Sequence, residues 1–129
     1  MTNRHELYKC NICGNVIEIL ISGDGNPVCC GEEMEKIEVK NDTKNSTVLT
    51  EKHSPIISDD SNGNKSVTVK THPMEQEHYI MFVQTISEDK TEIRTKFFAP
   101  SEAVEMKLYT NESFSARSYC NVHGLYTME

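Results

Sequence analysis

The sequence predicts an all-β protein with a small metal-held N-terminal module followed by an antiparallel β-sandwich. Three observations support this prediction. Short runs of β-favouring residues recur beyond residue 47, separated by clusters of Asp, Asn, Gly and Pro. No segment shows a convincing helical period over about ten residues. Four of the five cysteines lie before residue 31, whereas four of the five histidines lie beyond residue 50, which indicates two sites of different ligand type.

The predicted strands are runs bounded by turn residues. They are Val16–Ile21 in the N-terminal module and then Ser66–Lys70, His78–Ile86, Thr91–Phe98, Val104–Tyr109 and Ser113–Cys120. In the last run Phe114, Ala116, Ser118 and Cys120 share one face because side chains alternate along a strand. Many short strands at this spacing predict a small antiparallel sandwich or barrel.

A polar stretch without a period, Lys40–Ser46, is predicted to be a linker. We therefore expect two domains, residues 1–37 and 38–129. The first is too short to bury enough apolar surface to fold unaided, so a structural metal is expected on stability grounds alone.

The composition excludes several classes of partner. The formal net charge is −7 and the pI is about 5.2, which argues against nucleic acid or an anionic membrane as the main partner. No apolar run approaches the roughly 18–20 residues that a membrane span needs. The first residues lack the apolar stretch of a secretory signal, and five cysteines make a poor disulfide framework. We expect a cytoplasmic protein whose cysteines bind metal.

The four N-terminal cysteines have the spacing of a metal site. Cys10 and Cys13 are three residues apart, and the adjacent Cys29 and Cys30 follow after a Gly-rich turn. Four thiolates select zinc or iron, and a structural zinc knuckle stays open at this point. Because neighbouring residues reach one metal only with strained angles, we expect a distorted tetrahedron.

The later histidines and the last cysteine form a second candidate set. Its members lie at turns or strand ends: His53, His72, His78, Cys120 and His123. Four imidazoles and one thiolate exceed the needs of tetrahedral zinc, so a zinc-only structural protein is disfavoured. They fit a square-pyramidal iron with an open sixth position, where a thiolate opposite the opening pushes electron density toward a bound molecule. His5, near the terminus, is assigned to the ordinary hydrogen-bonded histidines of a surface or core and not to the ligands.

Five strings carry a resemblance to a known family. They are YKCNICGN, CCGEEM, EKHSP, HPMEQEHYI and CNVHGLY, and they span residues 8–126 in order. The chain resembles the desulfoferrodoxin and superoxide reductase family. This implies a desulforedoxin-like module in which Cys10, Cys13, Cys29 and Cys30 hold an FeS₄ centre. It also implies an immunoglobulin-like β-sandwich carrying a catalytic iron, hence two iron ions per chain, with zinc possible in the four-cysteine site.

The resemblance also implies residue roles and a reaction. The four histidines would be equatorial ligands and Cys120 the axial thiolate. Glu51 matches the glutamate that ligates the ferric state, and Lys52 matches the lysine that attracts superoxide and assists proton delivery. The implied reaction is one-electron reduction of superoxide to hydrogen peroxide, with the iron re-reduced by rubredoxin or a similar carrier. A homodimer with the N-terminal module in its interface is implied as well.

The chain departs from the family pattern at three positions. Phe82 and Tyr126 stand where relatives often carry Trp, and Ser54 stands where they often carry an apolar residue. None of these is a proposed ligand. The alternative function is a non-catalytic electron-transfer or metal-binding module. The Glu51-Lys52 pair beside His53 argues against it, because a structural metal site needs no exchangeable acid and cation at its mouth.

Overall fold

The computed structural model describes residues 1–40, 53–70 and 72–127. The chain divides into two compact units, Met1–Glu38 and Val39–Glu129. Within the described ranges, no helix is long and apolar enough to cross a membrane.

The first unit is built from five short strands. They are β1 (Leu7–Lys9), β2 (Val16–Glu18), β3 (Val28–Cys29), β4 (Glu32–Glu33) and β5 (Glu35–Lys36). Strands β2, β1 and β5 form an antiparallel sheet in that order, and β3 pairs with β4. The predicted strand over residues 16–21 is too long. The regular strand ends at Glu18, and backbone hydrogen bonds continue only to Ile19, which bonds to Glu6 and to His5, where the backbone turns left-handed with φ 75°.

The core of the first unit is very small. Leu7 is buried, and a buried cluster is formed by Tyr8, Cys10 and Met34, against which Ile19 and Cys29 pack. Cys10 and Cys29 belong to the candidate sulfur site as well. A core of this size agrees with the expectation that the unit needs a metal to fold.

The second unit contains eight described strands. They are β6 (Val39–Lys40), β7 (Ile56–Asp59), β8 (Lys65–Val69), β9 (Ile80–Ser87), β10 (Ile93–Phe97), β11 (Val104–Leu108), β12 (Phe114–Cys120) and β13 (Gly124–Thr127). One sheet has the order β10-β9-β12-β13-β6 and the other β11-β8-β7. The predicted strands of this unit are confirmed to within two residues at each end. Strands β6, β7 and β13 were not predicted.

The two sheets of the second unit enclose one apolar core. Its buried residues come from both sheets and from the segment after β10: Val67, Val69, Ile80, Val83, Phe98, Val104, Met106, Leu108, Ala116 and Cys120. Phe114, Ala116 and Cys120, which were predicted to share one face of β12, all pack in this core. The other face is not a solvated one, because Arg117 and Tyr119 are buried too. The all-β sandwich is confirmed.

The predicted linker is partly wrong. Lys40 lies in strand β6, which pairs in parallel with β13 so that Lys40 stands beside Tyr126. The β6–β13 pair is also an exception to the predicted antiparallel pattern. Residues 41–46, the rest of the predicted linker, lie outside the described residues.

Candidate metal centres

The structure brings the four N-terminal cysteines together at the end of the small β-sheet. Their sulfur atoms all lie within 4.8 Å of one another. The Sγ atoms of Cys13 and Cys29 are 3.6 Å apart, and those of Cys29 and Cys30 are 3.9 Å apart. Sulfur atoms at the corners of a tetrahedron about 2.3 Å from a metal are about 3.8 Å apart. The spacing therefore suits one tetrahedral metal ion.

The backbone shows how two adjacent cysteines reach one site. Cys30 adopts a left-handed conformation with φ 55°, and Gly31 follows with φ 76°. A non-glycine residue rarely adopts this conformation because its Cβ crowds the backbone. The conformation turns the Cys30 side chain back toward the set, so the strain expected for the vicinal pair is carried by the backbone at Cys30.

The cysteine thiols differ in acidity in the absence of a metal. Hydrogen bonds from the backbone N–H groups of Cys13 and Ile12 lower the pKa of Cys10 to about 6. The crowding of thiols, with Cys13 as the main cause, raises the pKa of Cys29 and raises that of Cys30 to about 12. Protons must therefore leave this site when a metal binds.

The second set forms a square of four imidazole rings. Neighbouring ring centroids are 4.5 Å apart for His53–His72, 4.7 Å for His72–His78, 5.0 Å for His78–His123 and 4.8 Å for His123–His53. The diagonal from His53 to His78 is longer, at 6.4 Å. Neighbouring rings stand at 61° to 81° to one another. This arrangement suits four equatorial positions around one metal ion.

The ring nitrogens converge on the centre of the square. His53 Nε2 lies 3.0 Å from His72 Nε2 and 3.1 Å from His123 Nδ1. Two nitrogens at right angles about a metal at about 2.1 Å are about 3.0 Å apart. Within the described part of the chain, the buried Nε2 of His78 has no hydrogen-bond partner. An orphaned buried nitrogen at this point indicates that a metal completes the site.

The fifth member, Cys120, approaches the rings from the protein interior. Its side chain is 0% exposed and belongs to the apolar core of the sandwich. Its Sγ lies 3.9 Å from His123 Nδ1 and accepts a hydrogen bond from the His123 backbone N–H at 3.5 Å. His78 and His123 are partly exposed whereas Cys120 is fully buried, so the set extends from the core toward the surface.

Contacts to neighbouring residues orient two of the histidines, His53 and His72. Ser118 Oγ donates a hydrogen bond to the backbone carbonyl of His53, and the ring of Tyr126 stacks on His53 with centroids 4.4 Å apart. His72 Nδ1 donates to the carbonyl of Pro73 at 2.6 Å, which leaves Nε2 with a lone pair for the site. Burial, with the neighbouring His78 and Lys40, holds the pKa of His123 below its usual value.

Asn121 connects the loop that carries His78 to the Cys120–His123 turn. Its Oδ1 accepts a hydrogen bond from the N–H of Tyr79 at 3.0 Å, and its Nδ2 donates to the carbonyl of Glu77 at 3.0 Å. These bonds clamp the backbone on both sides of His78. Asn121 thus positions one ligand relative to two others.

Two of the predicted residues cannot be placed. Glu51 and Lys52 lie outside the described residues, so their roles stay predictions. Of the positions that differ from the family pattern, Tyr126 stacks on His53 as described, and Phe82 stacks on Tyr119 with centroids 5.2 Å apart.

Comparison with known proteins agrees with this geometry. A family model described as desulfoferrodoxin matches residues 45–129, and a model of the desulfoferrodoxin N-terminal domain matches residues 2–37. A desulfoferrodoxin from Nitratidesulfovibrio vulgaris is 39% identical over 132 residues, covering 100% of this chain and 99% of that protein.

The chain belongs to the desulfoferrodoxin family.

Solved structures support the fold of this desulfoferrodoxin family member. A superoxide reductase from Treponema pallidum matches with a TM-score of 0.70 at 21% identity and covers 96% of each chain. A superoxide reductase (neelaredoxin) variant from Ignicoccus hospitalis matches with a TM-score of 0.50 at 25% identity. That match covers 63% of this chain and 79% of the other. The expected combination of a cysteine module and a β-sandwich is confirmed.

Both sets fit iron. The first offers four sulfur donors at tetrahedral spacing, which iron and zinc both accept. The second offers four nitrogens in a square and one buried sulfur, a number and shape that tetrahedral zinc does not use. The sequence did not single out Ser118 or Asn121. Their separation of 65 and 44 residues from the groups they bind leaves no local pattern to find.

Proposed function

We propose that this chain is a superoxide reductase, which reduces superoxide to hydrogen peroxide at the histidine–cysteine site. The observation that carries the proposal is the square of four imidazoles with a buried thiol beside it. Five donors of this kind leave an octahedral metal with one free position, which an electron-transfer or structural site does not require. Family membership and the Ignicoccus hospitalis neighbour, a superoxide reductase, support the same activity.

The proposed ligands form two sets, one in each unit, and each set would hold one iron. Cys10, Cys13, Cys29 and Cys30 would hold one iron, and His53, His72, His78, His123 and Cys120 the other. Iron held at the second site would supply one electron to superoxide, which with two protons gives hydrogen peroxide, and an external donor would return the electron. The described residues keep the ring nitrogens directed inward through Ser118, Asn121 and the Pro73 carbonyl.

Lys52 and Glu51 complete the proposed site. Superoxide is an anion that approaches a protein of net charge −7, so a cation beside His53 would increase its local concentration. We propose that Lys52 attracts superoxide and assists proton delivery, and that Glu51 occupies the ligand position in the oxidised state. The adjacency of both residues to His53 in the sequence supports these roles.

The domain boundary and the location are also proposals. Residues 1–37 and 38–129 would fold as separate domains, which the division into Met1–Glu38 and Val39–Glu129 supports. A cytoplasmic location is supported by the cysteines, all five of which are free thiols grouped with candidate ligand sets rather than paired as disulfides.

We further propose a homodimer that involves the N-terminal module, and a small rubredoxin-like electron donor. Six large apolar side chains of the first unit are exposed: Met1, Ile12, Ile17, Leu20, Ile21 and Val28. So much exposed apolar surface on so small a unit supports a protein interface. Analytical ultracentrifugation of the parent and of Leu20→Asp tests the dimer, since the variant is expected to shift it toward monomer.

Product stoichiometry tests the activity. The prereduced protein is mixed with superoxide, and hydrogen peroxide and dioxygen are both measured. Reduction gives one hydrogen peroxide for each superoxide and no dioxygen, whereas dismutation gives half as much hydrogen peroxide together with dioxygen. No consumption of superoxide by iron-loaded protein would contradict the proposal and favour a non-catalytic electron-transfer module.

A second experiment tests the steering role of Lys52. Lys52→Met should slow the reaction of the reduced protein with superoxide by about tenfold or more at low salt and flatten its dependence on ionic strength. Lys107→Met makes the same change in net charge on the exposed side of β11 and is the matched control. Equal rates and salt slopes in both variants would remove Lys52 from the proposed site.

A further inference from the structure

Lys40 reaches the histidine–cysteine site from strand β6. Its Nζ donates a hydrogen bond of 2.8 Å to the backbone carbonyl of His123. The same Nζ lies 5.9 Å from the centroid of the Tyr126 ring. It also lies close to Gly124, where a Cβ would be 3.7 Å away. Lys40 therefore spans the whole segment that leads from the ligand His123 to the ring stacked on His53.

The parallel pairing of β6 with β13 fixes this position. Lys40 stands beside Tyr126 in that pairing, and Val39 stands beside Leu125. The backbone of β6 is thus anchored before the side chain reaches across to His123. Gly124, with φ 92°, makes the tight turn that presents the His123 carbonyl to the lysine. The contact is therefore supported by the strand pairing and does not depend on the flexible lysine side chain alone.

A second lysine in the same unit shows what an ordinary contact of this kind looks like. Lys96 Nζ donates to the backbone carbonyl of Glu105 at 3.0 Å and lies 5.4 Å from the centroid of Phe98. Each of the two lysines is exposed, donates to a backbone carbonyl and lies near an aromatic ring. They differ in what the partners do. The partners of Lys40 are the backbone of the candidate ligand His123 and the ring of Tyr126, which stacks on the candidate ligand His53.

A fixed positive charge at this place has a defined electrostatic effect. It stabilises the state of a nearby centre that carries less positive charge, which for an iron centre is the reduced state. The effect is moderate because Lys40 is exposed and water screens its charge. The hydrogen bond also holds the carbonyl of His123 and so restrains the direction of its ring.

We propose that Lys40 is a positioning residue of the histidine–cysteine site, which holds the turn at His123 and favours the reduced state of the metal bound there. This inference rests on the proposed function, because it requires iron at that site. Neither the cysteine and histidine spacing nor the matching strings indicate this role for Lys40, which lies in β6.

Redox titration of the iron-loaded full chain tests the proposal, with Lys40→Met, Lys40→Arg and Lys96→Met compared with the parent. Lys40→Met is expected to decrease the reduced-to-oxidised ratio of the histidine–cysteine iron about threefold at a fixed potential, which is about 28 mV at 59 mV per tenfold. Lys40→Arg should recover most of this change because it keeps the charge. Lys96→Met should leave the ratio unchanged. Hydrogen exchange of residues 120–126 should become faster only in Lys40→Met.

Each outcome bears on the inference. An unshifted potential in Lys40→Met overturns it, even if hydrogen exchange changes, because Lys40 is then a structural tie alone. Equal shifts in Lys40→Met and Lys96→Met also overturn it, since the effect would be one of general surface charge. A shift in Lys40→Met that Lys40→Arg reverses supports it. A parent protein without iron at this site would instead contradict the proposed function, so iron is measured first.

Discussion

The two units of this protein use their candidate metal sites in opposite ways. In Met1–Glu38 the buried apolar cluster consists of Tyr8, Cys10 and Met34, so a candidate ligand is one of its three members. In Val39–Glu129 the buried apolar cluster has ten residues from two sheets and the segment after β10, and Cys120 is the single candidate ligand among them. The first unit is organised around its metal, whereas the second presents a metal site on a scaffold with its own core.

The difference extends to how the donors are held. The cysteines of the first unit lie in and beside short strands, and three of the four are partly or fully exposed. In the second unit His53 is 1% exposed, and Ser118 and Tyr126 fix it from two sides. A site supported in this way can lose and regain an electron without a change of shape, which suits catalysis.

The largest effect that separates the two units should come from metal removal. A chelator is expected to abolish amide protection throughout residues 1–38, because the metal replaces a core that is otherwise too small. The strands β8, β9, β11 and β12 should keep their protection, since their packing does not need the metal. Hydrogen exchange followed by mass spectrometry measures both in one sample. Simultaneous loss of protection in the two units would break the comparison.

A fragment that begins at Val39 sharpens the same comparison. It should unfold cooperatively and bind one iron, whereas a fragment of residues 1–38 should fold only when metal is added. Circular dichroism during denaturation and iron analysis provide the measurements. A Val39–Glu129 fragment without a cooperative transition would show that its core depends on the first unit.

Metal loading of the two sites should respond differently to pH. In the first unit the pKa values of Cys29 and Cys30 are raised, the latter to about 12, so both thiols carry protons near neutral pH. Metal binding releases at least these two protons, and affinity should therefore rise at least about 100-fold for each pH unit between pH 7 and 8. The lowered pKa of His123 leaves that ring neutral over this range, so it adds no such dependence.

Competition with a chromophoric chelator at several pH values measures this dependence for the first unit. The four-cysteine site can be followed separately in Cys120→Ser protein. An affinity that does not change with pH would mean that the thiols are already ionised before the metal binds.

The loop clamp at Asn121 should have an intermediate effect. Asn121→Ala removes both hydrogen bonds beside His78 and should weaken iron binding or slow turnover by about 10–100-fold. Asn121→Asp keeps the acceptor and should lie between the parent and the Ala variant. Asn26→Ala, which removes an exposed hydrogen bond from the N-terminal amine, is the control and should change neither. If Asn121→Ala and the control variant changed iron binding and turnover equally, Asn121 would have no positioning role.

Much of this architecture could be predicted from the sequence. Alternation and turn residues located five strands of the sandwich, and cysteine and histidine spacing grouped the donors that the structure brings together. The missed strand β6 has two residues and pairs in parallel with β13, so no hairpin turn marks it. Strand β13 follows β12 through the turn at residues 121–123 and has only four residues. Lys40 was assigned to a linker because its neighbours are polar.

The donor atoms could not be predicted from composition or spacing. His53 and His72 face the site with Nε2 and His123 faces it with Nδ1, a choice made by backbone direction and by contacts such as the Pro73 carbonyl. The residues that orient the ligands bind groups far away in sequence, 83 residues away for Lys40. Local patterns carry no information on such pairs.

The central claim is that the two sites are independent and that superoxide reacts at the second. The most direct test compares prereduced Cys30→Ser and Cys120→Ser in pulse radiolysis with superoxide, after the iron content and visible spectrum of each have been recorded. Cys30→Ser should lose the FeS₄ absorption and react within about twofold of the parent, because the histidine–cysteine set is intact. Cys120→Ser should keep that absorption, lose the thiolate-to-iron band and react at least about 100-fold more slowly, because serine oxygen is a poorer electron donor. The reverse pattern, or equal loss in both variants, would contradict the claim.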